Sequence, residues 1–318
     1  DTMMMQKLGK VTILGGTGFI GSQLAIKLSK LSSNIDVLTR NAESNQSLKM
    51  IPNLEIRQID VTDERNLNLC FKDSDLVINT IGILNELDED NTFDNIHYEL
   101  AKKLTKALNA NNIKRYLHMS SLNANPNAPS KYLQSKGLAE NYIEDNLREF
   151  CNYTIFRPSI VFGEKDSFFN KFSTLLKILP IFPLACPESK FMPIYVNDLT
   201  EFMIDCILNR QTFNKKIDAT GPREYTFRQL IDLTLKSLQI KRLIIPLNYT
   251  LSKLQAQVFQ ILPGKLFTVD NFKSLQIDSV SSTGFKGSSL VENIVPRYLN
   301  ASYSQRHFEK LRKKSGRK

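Results

Sequence analysis

Metal-binding side chains are scarce in this sequence. It has four cysteines, Cys70, Cys151, Cys186 and Cys206, and no two of them form a CxxC pair. The three histidines, at positions 97, 118 and 307, form no HxH or HExxH pattern. Because protein zinc sites use such spacings, we expect no metal and no metal-dependent chemistry. The cysteines are expected to be buried free thiols in a reducing compartment.

Long apolar runs are also missing. The best candidate, LLKILPIFPLAC at 175–186, is interrupted by two prolines and is much shorter than the ~20 residues of a membrane-spanning helix. We therefore expect no transmembrane segment. We also expect no signal peptide, because the first predicted strand begins by Val11.

Acidic residues are outnumbered by basic ones. The chain has 42 Lys and Arg against 32 Asp and Glu, which gives a net charge of +10. Part of the excess lies in RHFEKLRKKSGRK, at 306–318. Such a run suits an anionic membrane surface or an acidic partner, and the alternative is a solvated tail. No aromatic-basic repeat or recognition-helix pattern is present, so nucleic acid is not an expected partner.

The first half of the sequence alternates between strand-like and helix-like patterns. Apolar runs such as KVTILGG, NIDVLTR and DLVINTIG are separated by amphipathic stretches such as GSQLAIKLSKLS. This rhythm predicts an α/β fold with a Rossmann-type, doubly wound parallel sheet. We assign 8–165 to a dinucleotide-binding domain to which some later segments return, 166–305 to a smaller α-rich cap, and 306–318 to a basic tail.

A glycine-rich turn follows the first predicted strand. Gly15, Gly18 and Gly21 form GxxGxxG and open the next helix. The first glycine allows a tight turn, the second lets a pyrophosphate approach the backbone, and the third allows close helix–strand packing. Free N–H groups at the helix N-terminus would bind the phosphates. This strand–turn–helix context predicts dinucleotide binding.

The end of the second predicted strand bears on cofactor choice. An acidic residue there would bind the ribose 2′-hydroxyl of NAD, but the strand ends in Thr39 and Arg40, and Asp36 lies too early in it. A guanidinium suits a 2′-phosphate, so NADP(H) is favoured over NAD(H). Four further strand-end residues are predicted to line the adenosine: Asp60, Val61, Ile81 and Gly82.

A possible catalytic pair follows the fifth predicted strand. Within SSLNANPNAPSKYLQSK, Tyr132 and Lys136 have YxxxK spacing and would share one face of a helix. The lysine could lower the pKa of the phenol and hold the nicotinamide ribose, while the tyrosine exchanges a proton with a carbonyl substrate. Ser121, or its neighbour Ser120, could orient the substrate oxygen. The alternative is that the pair only clamps the cofactor.

These motifs together resemble the short-chain dehydrogenase/reductase superfamily in its atypical or extended form. The resemblance rests on GGTGFIG, NTIG, SS…YxxxK and FRPSIVFG. Two later stretches, FFNKFSTLLKILPIFPL with FMPIYVNDLTEFM, and ILPGKLFTVDNFKSLQIDSVSS, are similar to one subgroup. That subgroup is the family of the NADPH-binding accessory subunit 9 of the complex I alpha subcomplex, with its bacterial relatives.

The resemblance implies a tightly held NADP(H) without established turnover, in a peripheral subunit near the membrane. It also implies a set of cofactor contacts: Gly15, Thr17, Gly18, Phe19, Ile20, Arg40, Tyr132, Lys136, Phe156, Pro158 and Ser159. The sequence departs from active extended reductases in one respect, since Ser121 and Tyr132 are only eleven positions apart. This spacing puts the catalytic role of the serine in doubt.

Two hypotheses follow from these observations. The first is an NADP(H)-containing accessory protein associated with respiratory complex I. The second is an active NADP-dependent reductase, epimerase or dehydratase that acts on a small or isoprenoid- or quinone-related substrate. The expected location is the bacterial cytoplasm, including its inner-membrane periphery, with the matrix side of the mitochondrial inner membrane as the alternative.

Overall fold

The computed structural model describes residues 8–43, 45–261 and 265–300. The strands are β1 (Leu8–Leu14), β2 (Ser32–Thr39), β3 (Leu54–Gln58), β4 (Ser74–Asn79), β5 (Arg115–Met119), β6 (Asn152–Pro158), β7 (Val161–Phe162), β8 (Ile181–Leu184), β9 (Lys190–Phe191), β10 (Ile194–Tyr195), β11 (Lys215–Thr220), β12 (Tyr225–Thr226), β13 (Leu243–Pro246) and β14 (Phe285–Lys286). The α-helices are α1 (Phe19–Leu28), α2 (Glu64–Phe71), α3 (Leu100–Ala110), α4 (Lys131–Leu147), α5 (Phe168–Ile178), α6 (Val196–Asp205), α7 (Phe227–Leu238), α8 (Tyr249–Phe259), α9 (Val269–Ser274) and α10 (Val291–Leu299). The predicted basic tail at 306–318 lies outside the described residues.

The main sheet has eight strands in the order β14-β11-β6-β5-β4-β1-β2-β3. Neighbouring strands run parallel from β6 to β3. Strand order reverses at β1, which lies between β2 and β4, and in such sheets ligands bind beyond the carboxyl ends at this switch point. The predicted α/β, Rossmann-type doubly wound fold is confirmed.

The chain divides into two units. Unit 1 comprises the residues up to Pro158 together with Leu199–Asp218, and unit 2 comprises Ser159–Asp198 and the residues from Ala219 onward. In unit 1 the strands are apolar on both faces because helices cover both. Val11, Ile13 and Leu14 of β1 are completely buried, as expected for a central parallel strand.

Helix ends in unit 1 are set by short polar side chains. Asp63 caps α2 by accepting the N–H of Arg65, and Ser130 caps α4 by accepting the N–H of Leu133 at 3.2 Å. Such caps satisfy backbone donors that the helix itself leaves open. The serine cap therefore fixes where α4 begins, and with it the positions of the side chains on its first turns.

Unit 2 has its own core of aromatic and aliphatic side chains. Phe168 contacts Phe172 at 4.9 Å between ring centroids, and Phe172 contacts Phe227 of α7 at 5.3 Å. Asp166 accepts the N–H of Phe169 at the start of α5 and the hydroxyl of Tyr298 on α10. These contacts join three helices of the unit around one core.

Two features of the described residues bear on the sequence predictions. No helix among them has the length and apolar character needed to cross a bilayer, and no three His, Cys, Asp or Glu side chains are grouped so as to hold a metal ion. The four cysteines are free thiols, of which Cys70, Cys151 and Cys206 are buried and Cys186 is half-buried.

Candidate functional site

The glycine turn lies at the switch point of the sheet. β1 ends at Leu14, and Gly15 has φ of +70° and donates its N–H to Leu38 O at 3.0 Å. Gly18 donates to Gly15 O at 3.0 Å and stands at the N-cap of α1, where no side chain caps the helix. The first N–H groups of α1 therefore need acceptors from outside the helix. Anionic oxygens of a phosphate are suitable acceptors at this position.

Close packing explains why the turn needs glycine at two of its positions. A Cβ atom on Gly21 would lie 2.3 Å from Gly15 O and 2.8 Å from Thr80 Oγ1. At Gly15 the positive φ itself disfavours other residues. Gly18 differs, because a Cβ there would meet only Gly15 O, at 3.1 Å, and the residue is exposed.

The end of β2 carries the residues expected to meet the adenosine ribose. Thr17 and Thr39 share a hydroxyl–hydroxyl hydrogen bond of 2.8 Å, and Arg40 is exposed, with its Nη1 donating to Asn91 Oδ1 at 2.5 Å. Asp36 is buried within β2, and its Oδ2 lies 3.2 Å from Lys10 Nζ. Its burial and ion pairing support the interpretation that Asp36 does not compete for the ribose.

Phe19 and Ile20 form the first turn of α1 and are half-buried. Of the other predicted adenosine residues, Asp60 is exposed and accepts the hydroxyl of Thr62 at 2.7 Å, which lowers the pKa of Asp60. Val61 is buried in the core of unit 1, and Ile81 packs against that core. Their contacts with a nucleotide stay predictions.

Gly82 lies directly beside the YxxxK lysine. A Cβ on Gly82 would be 3.1 Å from Lys136 Nζ and 3.6 Å from His97 Nε2. The strand-end loop after β4 and the helix α4 thus meet around the lysine ammonium. The structure brings together Gly82 and Lys136, which the sequence analysis placed in separate motifs.

Lys136 is buried on α4 and donates to Met119 O at 3.1 Å. Burial lowers the pKa of Lys136 to about 8, and the carboxylate of Glu140 partly opposes this. Tyr132 is half-buried one turn earlier, and burial raises the pKa of its phenol. The direction is opposite to the lowering expected from the lysine, because desolvation is the largest contribution.

The two candidate serines have different partners. Ser121 hydrogen-bonds to Tyr132, which partly opposes the rise in the pKa of the phenol. Ser120 instead donates to Glu140 Oε1 at 2.5 Å, and the same buried carboxylate receives the guanidinium of Arg157. Ser121 is therefore the serine that shares a hydrogen bond with the tyrosine, whereas Ser120 belongs to a buried ionic network.

His97 is a site residue that the sequence analysis missed. Its Nε2 accepts the N–H of Ile83 at 3.1 Å, and its Nδ1 contacts Ser135 Oγ at 2.9 Å. Because Ser135 donates its own proton to Tyr132 O, Nδ1 of His97 carries the hydrogen and the imidazole is neutral. Burial and the nearby Lys136 hold the pKa of His97 well below its usual value. No sequence motif marks His97, because its contacts with Ile83 and Ser135 form only in the folded chain.

His118, on β5, is a second missed histidine. Asn79 Oδ1 accepts the N–H of Ile81, so its amide nitrogen faces His118 Nδ1, at 3.4 Å. The Tyr116 hydroxyl lies nearer, 2.9 Å from His118 Nδ1, and can also donate to it. With Nδ1 as the acceptor, the proton lies on Nε2, which has no hydrogen-bond partner among the described residues. Burial lowers the pKa of His118 to about 3, and the charge of Lys136 adds to this. A buried donor near an ammonium group suits an oxygen-rich ligand.

The residues carried over from the FRPS motif have structural contacts of their own. Phe156 is completely buried with its ring edge-on to Phe202, and Pro158 accepts the N–H of Leu122 at 2.9 Å. In unit 2, Ser159 donates to Ser279 O at 2.8 Å. Their predicted cofactor contacts stay predictions.

Comparisons with known proteins bear on this site. Residues 15–169 match the protein family described as NAD(P)H-binding. The chain is 27% identical over 245 residues to the mitochondrial NADH dehydrogenase [ubiquinone] 1 alpha subcomplex subunit 9 of Dictyostelium discoideum, covering 74% of this chain and 66% of that protein. It is also 27% identical over 306 residues to the subunit 9 protein of Arabidopsis thaliana, covering 91% and 74%. The resemblance inferred from the motifs is confirmed.

Solved structures show the same fold at low identity. The UDP-glucose 4-epimerase of Thermotoga maritima superposes with a TM-score of 0.71 at 15% identity, covering 94% of this chain and 99% of that one. Pal from Bacillus thuringiensis gives a TM-score of 0.72 at 14% identity, with the same coverage. At this identity the likeness concerns the fold alone.

Proposed function

We propose that this chain, whose residues 15–169 match an NAD(P)H-binding family, is an NADP(H)-holding accessory protein of respiratory complex I. The observation that carries the proposal is the similarity to the Arabidopsis subunit 9 protein, which extends over 91% of the chain. The nucleotide would serve as a bound structural or regulatory component. The proposed location is a membrane periphery, either of the bacterial cytoplasm or of the mitochondrial matrix.

The residues at the switch point fit such a nucleotide. The first N–H groups of α1 have no side-chain cap, and Gly18 has no side chain that would keep a pyrophosphate away from them. Lys136 and the orphaned N–H of His118 offer donors to ribose hydroxyls. Arg40 is exposed and cationic at the end of β2, which favours a 2′-phosphate over a bare 2′-hydroxyl.

A second candidate function is an active NADP-dependent reductase, epimerase or dehydratase on a small or isoprenoid- or quinone-related substrate. The hydrogen bond between Ser121 and Tyr132 favours it. A nicotinamide supplies or accepts a hydride when bound. Because burial raises the pKa of Tyr132, its phenol is protonated at neutral pH and would act as a proton donor toward a carbonyl oxygen.

Tyr132→Phe separates the two functions. For the accessory role we expect no carbonyl-dependent oxidation of bound NADPH above background in the native protein, and no change in Tyr132→Phe. The measurement is the absorbance of reduced nicotinamide with a panel of carbonyl substrates. Native turnover that falls about 10²–10⁴-fold in Tyr132→Phe, the usual contribution of a general acid, would establish the enzymatic function instead. Retention of NADPH by the variant shows that its site is intact.

A further inference from the structure

Exposed apolar side chains are concentrated in one part of unit 2. Of the eighteen large apolar side chains that are exposed among the described residues, ten belong to unit 2. They are Ile178, Leu179, Ile181, Leu243, Ile245, Tyr249, Leu251, Leu254, Val258 and Ile261. Such a concentration marks an interaction surface, whereas scattered apolar residues need no explanation.

Helix α8 has its apolar stripe on the outside. Leu251, Leu254 and Val258 lie on one helical face and are 47%, 53% and 49% exposed. The residues that α8 buries completely are Ser252 and Ala256. A helix that packs only against the core of its own unit buries its leucines. Because the apolar stripe of α8 is exposed, we expect it to contact a partner outside unit 2.

The small β8–β13 sheet continues this pattern. In its register Leu243 pairs with Ile181 and is exposed, while the next pair, Ile244 and Phe182, is buried. Ile245 is exposed again, as expected from the alternation of side chains along a strand. The Gln255 amide of α8 donates to Pro183 O of β8 at 2.9 Å, which links the helix to the sheet.

We call this surface the apolar face, defined as Ile178, Ile181, Leu243, Ile245, Leu251, Leu254, Val258 and Ile261. The sequence segments that carry it contain basic residues and no acidic ones. Lys177, Lys241 and Lys253 are exposed next to its members. No Asp or Glu occurs in 168–184 or 240–261, although the whole chain has 32 in 318 residues.

We propose that the apolar face of unit 2 docks on an anionic lipid surface. Leucines and valine beside lysines, without acids, are typical of helices that lie in the plane of a membrane interface. α8 has eleven residues, whereas a helix that spans a bilayer needs ~20, so α8 can lie along the membrane surface but cannot cross it. This inference rests on the proposed function and assigns the apolar face as the membrane-binding surface of the accessory protein.

Vesicle flotation of the full-length protein tests the inference. One set of vesicles contains phosphatidylcholine alone, and the other contains phosphatidylcholine and phosphatidylglycerol in equal parts. We expect the protein to float with the anionic set in preference to the neutral one. In Leu254→Ser/Val258→Ser the partition onto anionic vesicles is expected to fall roughly tenfold or more, because two apolar side chains no longer enter the interface.

Matched controls make each outcome decisive. Met50→Ser/Leu69→Ser removes two exposed apolar side chains of unit 1 and should bind vesicles like the native protein. The inference would be overturned if the native protein self-associates without lipid and the α8 variant does not, because the face would then bind a second copy of the chain. It would also be overturned if deletion of 306–318 abolishes vesicle binding, because that segment would then carry the membrane contact. The inference is also contradicted if the native protein and the α8 variant bind anionic vesicles equally, or if the native protein binds neither kind of vesicle. NADPH content is measured in parallel, so a failure of lipid docking is distinguished from a failure of the proposed nucleotide site.

Discussion

Gly18→Val is expected to weaken NADPH binding about a hundredfold while the protein stays folded. Gly18 has φ of −74°, which any residue adopts, and its new Cβ would meet only Gly15 O, at 3.1 Å. The valine side chain would stand at the exposed N-terminus of α1, where the pyrophosphate must approach the backbone. Fluorescence titration with NADPH measures the loss of affinity, and thermal unfolding checks that the fold persists.

Gly21→Val is the matched variant for this experiment. Its Cβ would lie 2.3 Å from Gly15 O and 2.7 Å from Gly16 Cα, both backbone atoms that cannot move independently of the turn. We therefore expect it to lower the free energy of unfolding by about 1–3 kcal/mol or more, as well as to lose the nucleotide. A Gly18→Val protein that binds NADPH normally would contradict the assignment of this turn to phosphate.

Lys136→Met is expected to weaken NADPH binding about tenfold and yet to stabilise the nucleotide-free protein. Lys136 is buried, and burial lowers its pKa from 10.5 to about 8. At pH 7 the folded state therefore contains a desolvated ammonium group. A methionine of similar length removes this cost but loses the hydrogen bond to Met119 O. We expect a net gain of about 1–2 kcal/mol in the free energy of unfolding at pH 7.

The pH dependence of stability provides a sharper signature of the same lysine. Between pH 8 and 10.5 the unfolded chain binds a proton at Lys136 that the folded chain has released. The free energy of unfolding of the native protein should therefore rise with pH across this window, relative to that of Lys136→Met. Lys131→Met, on the exposed first position of α4, should keep the native slope. A Lys136→Met protein that keeps the native pH slope, or that is less stable than the native protein at pH 7, would contradict the conclusion that burial lowers the pKa of Lys136.

The fold was largely predictable because its signals are local. Buried apolar runs and the glycine turn mark β1, β2 and β4 directly in the sequence. Asp60 and Val61 were predicted to stand at the end of a strand, but β3 ends at Gln58, because Asp60 accepts the N–H of Thr62 and starts a turn before α2. Such a side-chain-to-backbone bond competes with strand pairing and cannot be recognised from apolar periodicity.

The site was only partly predictable because its polar contacts are tertiary. YxxxK spacing indicated Tyr132 and Lys136, but it could not distinguish Ser121 from Ser120. That distinction depends on Glu140, a completely buried carboxylate that sequence patterns would place at the surface. His97 joins the loop after β4 to α4, two segments whose proximity only the fold reveals.

Identification of the nucleotide that the protein holds is the decisive experiment for NADP(H) binding. The full-length protein is purified without added cofactor, denatured, and the released nucleotide is identified. The stripped and refolded protein is then titrated with NADPH and with NADH. We expect stoichiometric NADP(H) in the purified protein and tighter binding of NADPH than of NADH, through the guanidinium of Arg40. A protein that carries no nucleotide, or that binds NADH more tightly than NADPH, would contradict it.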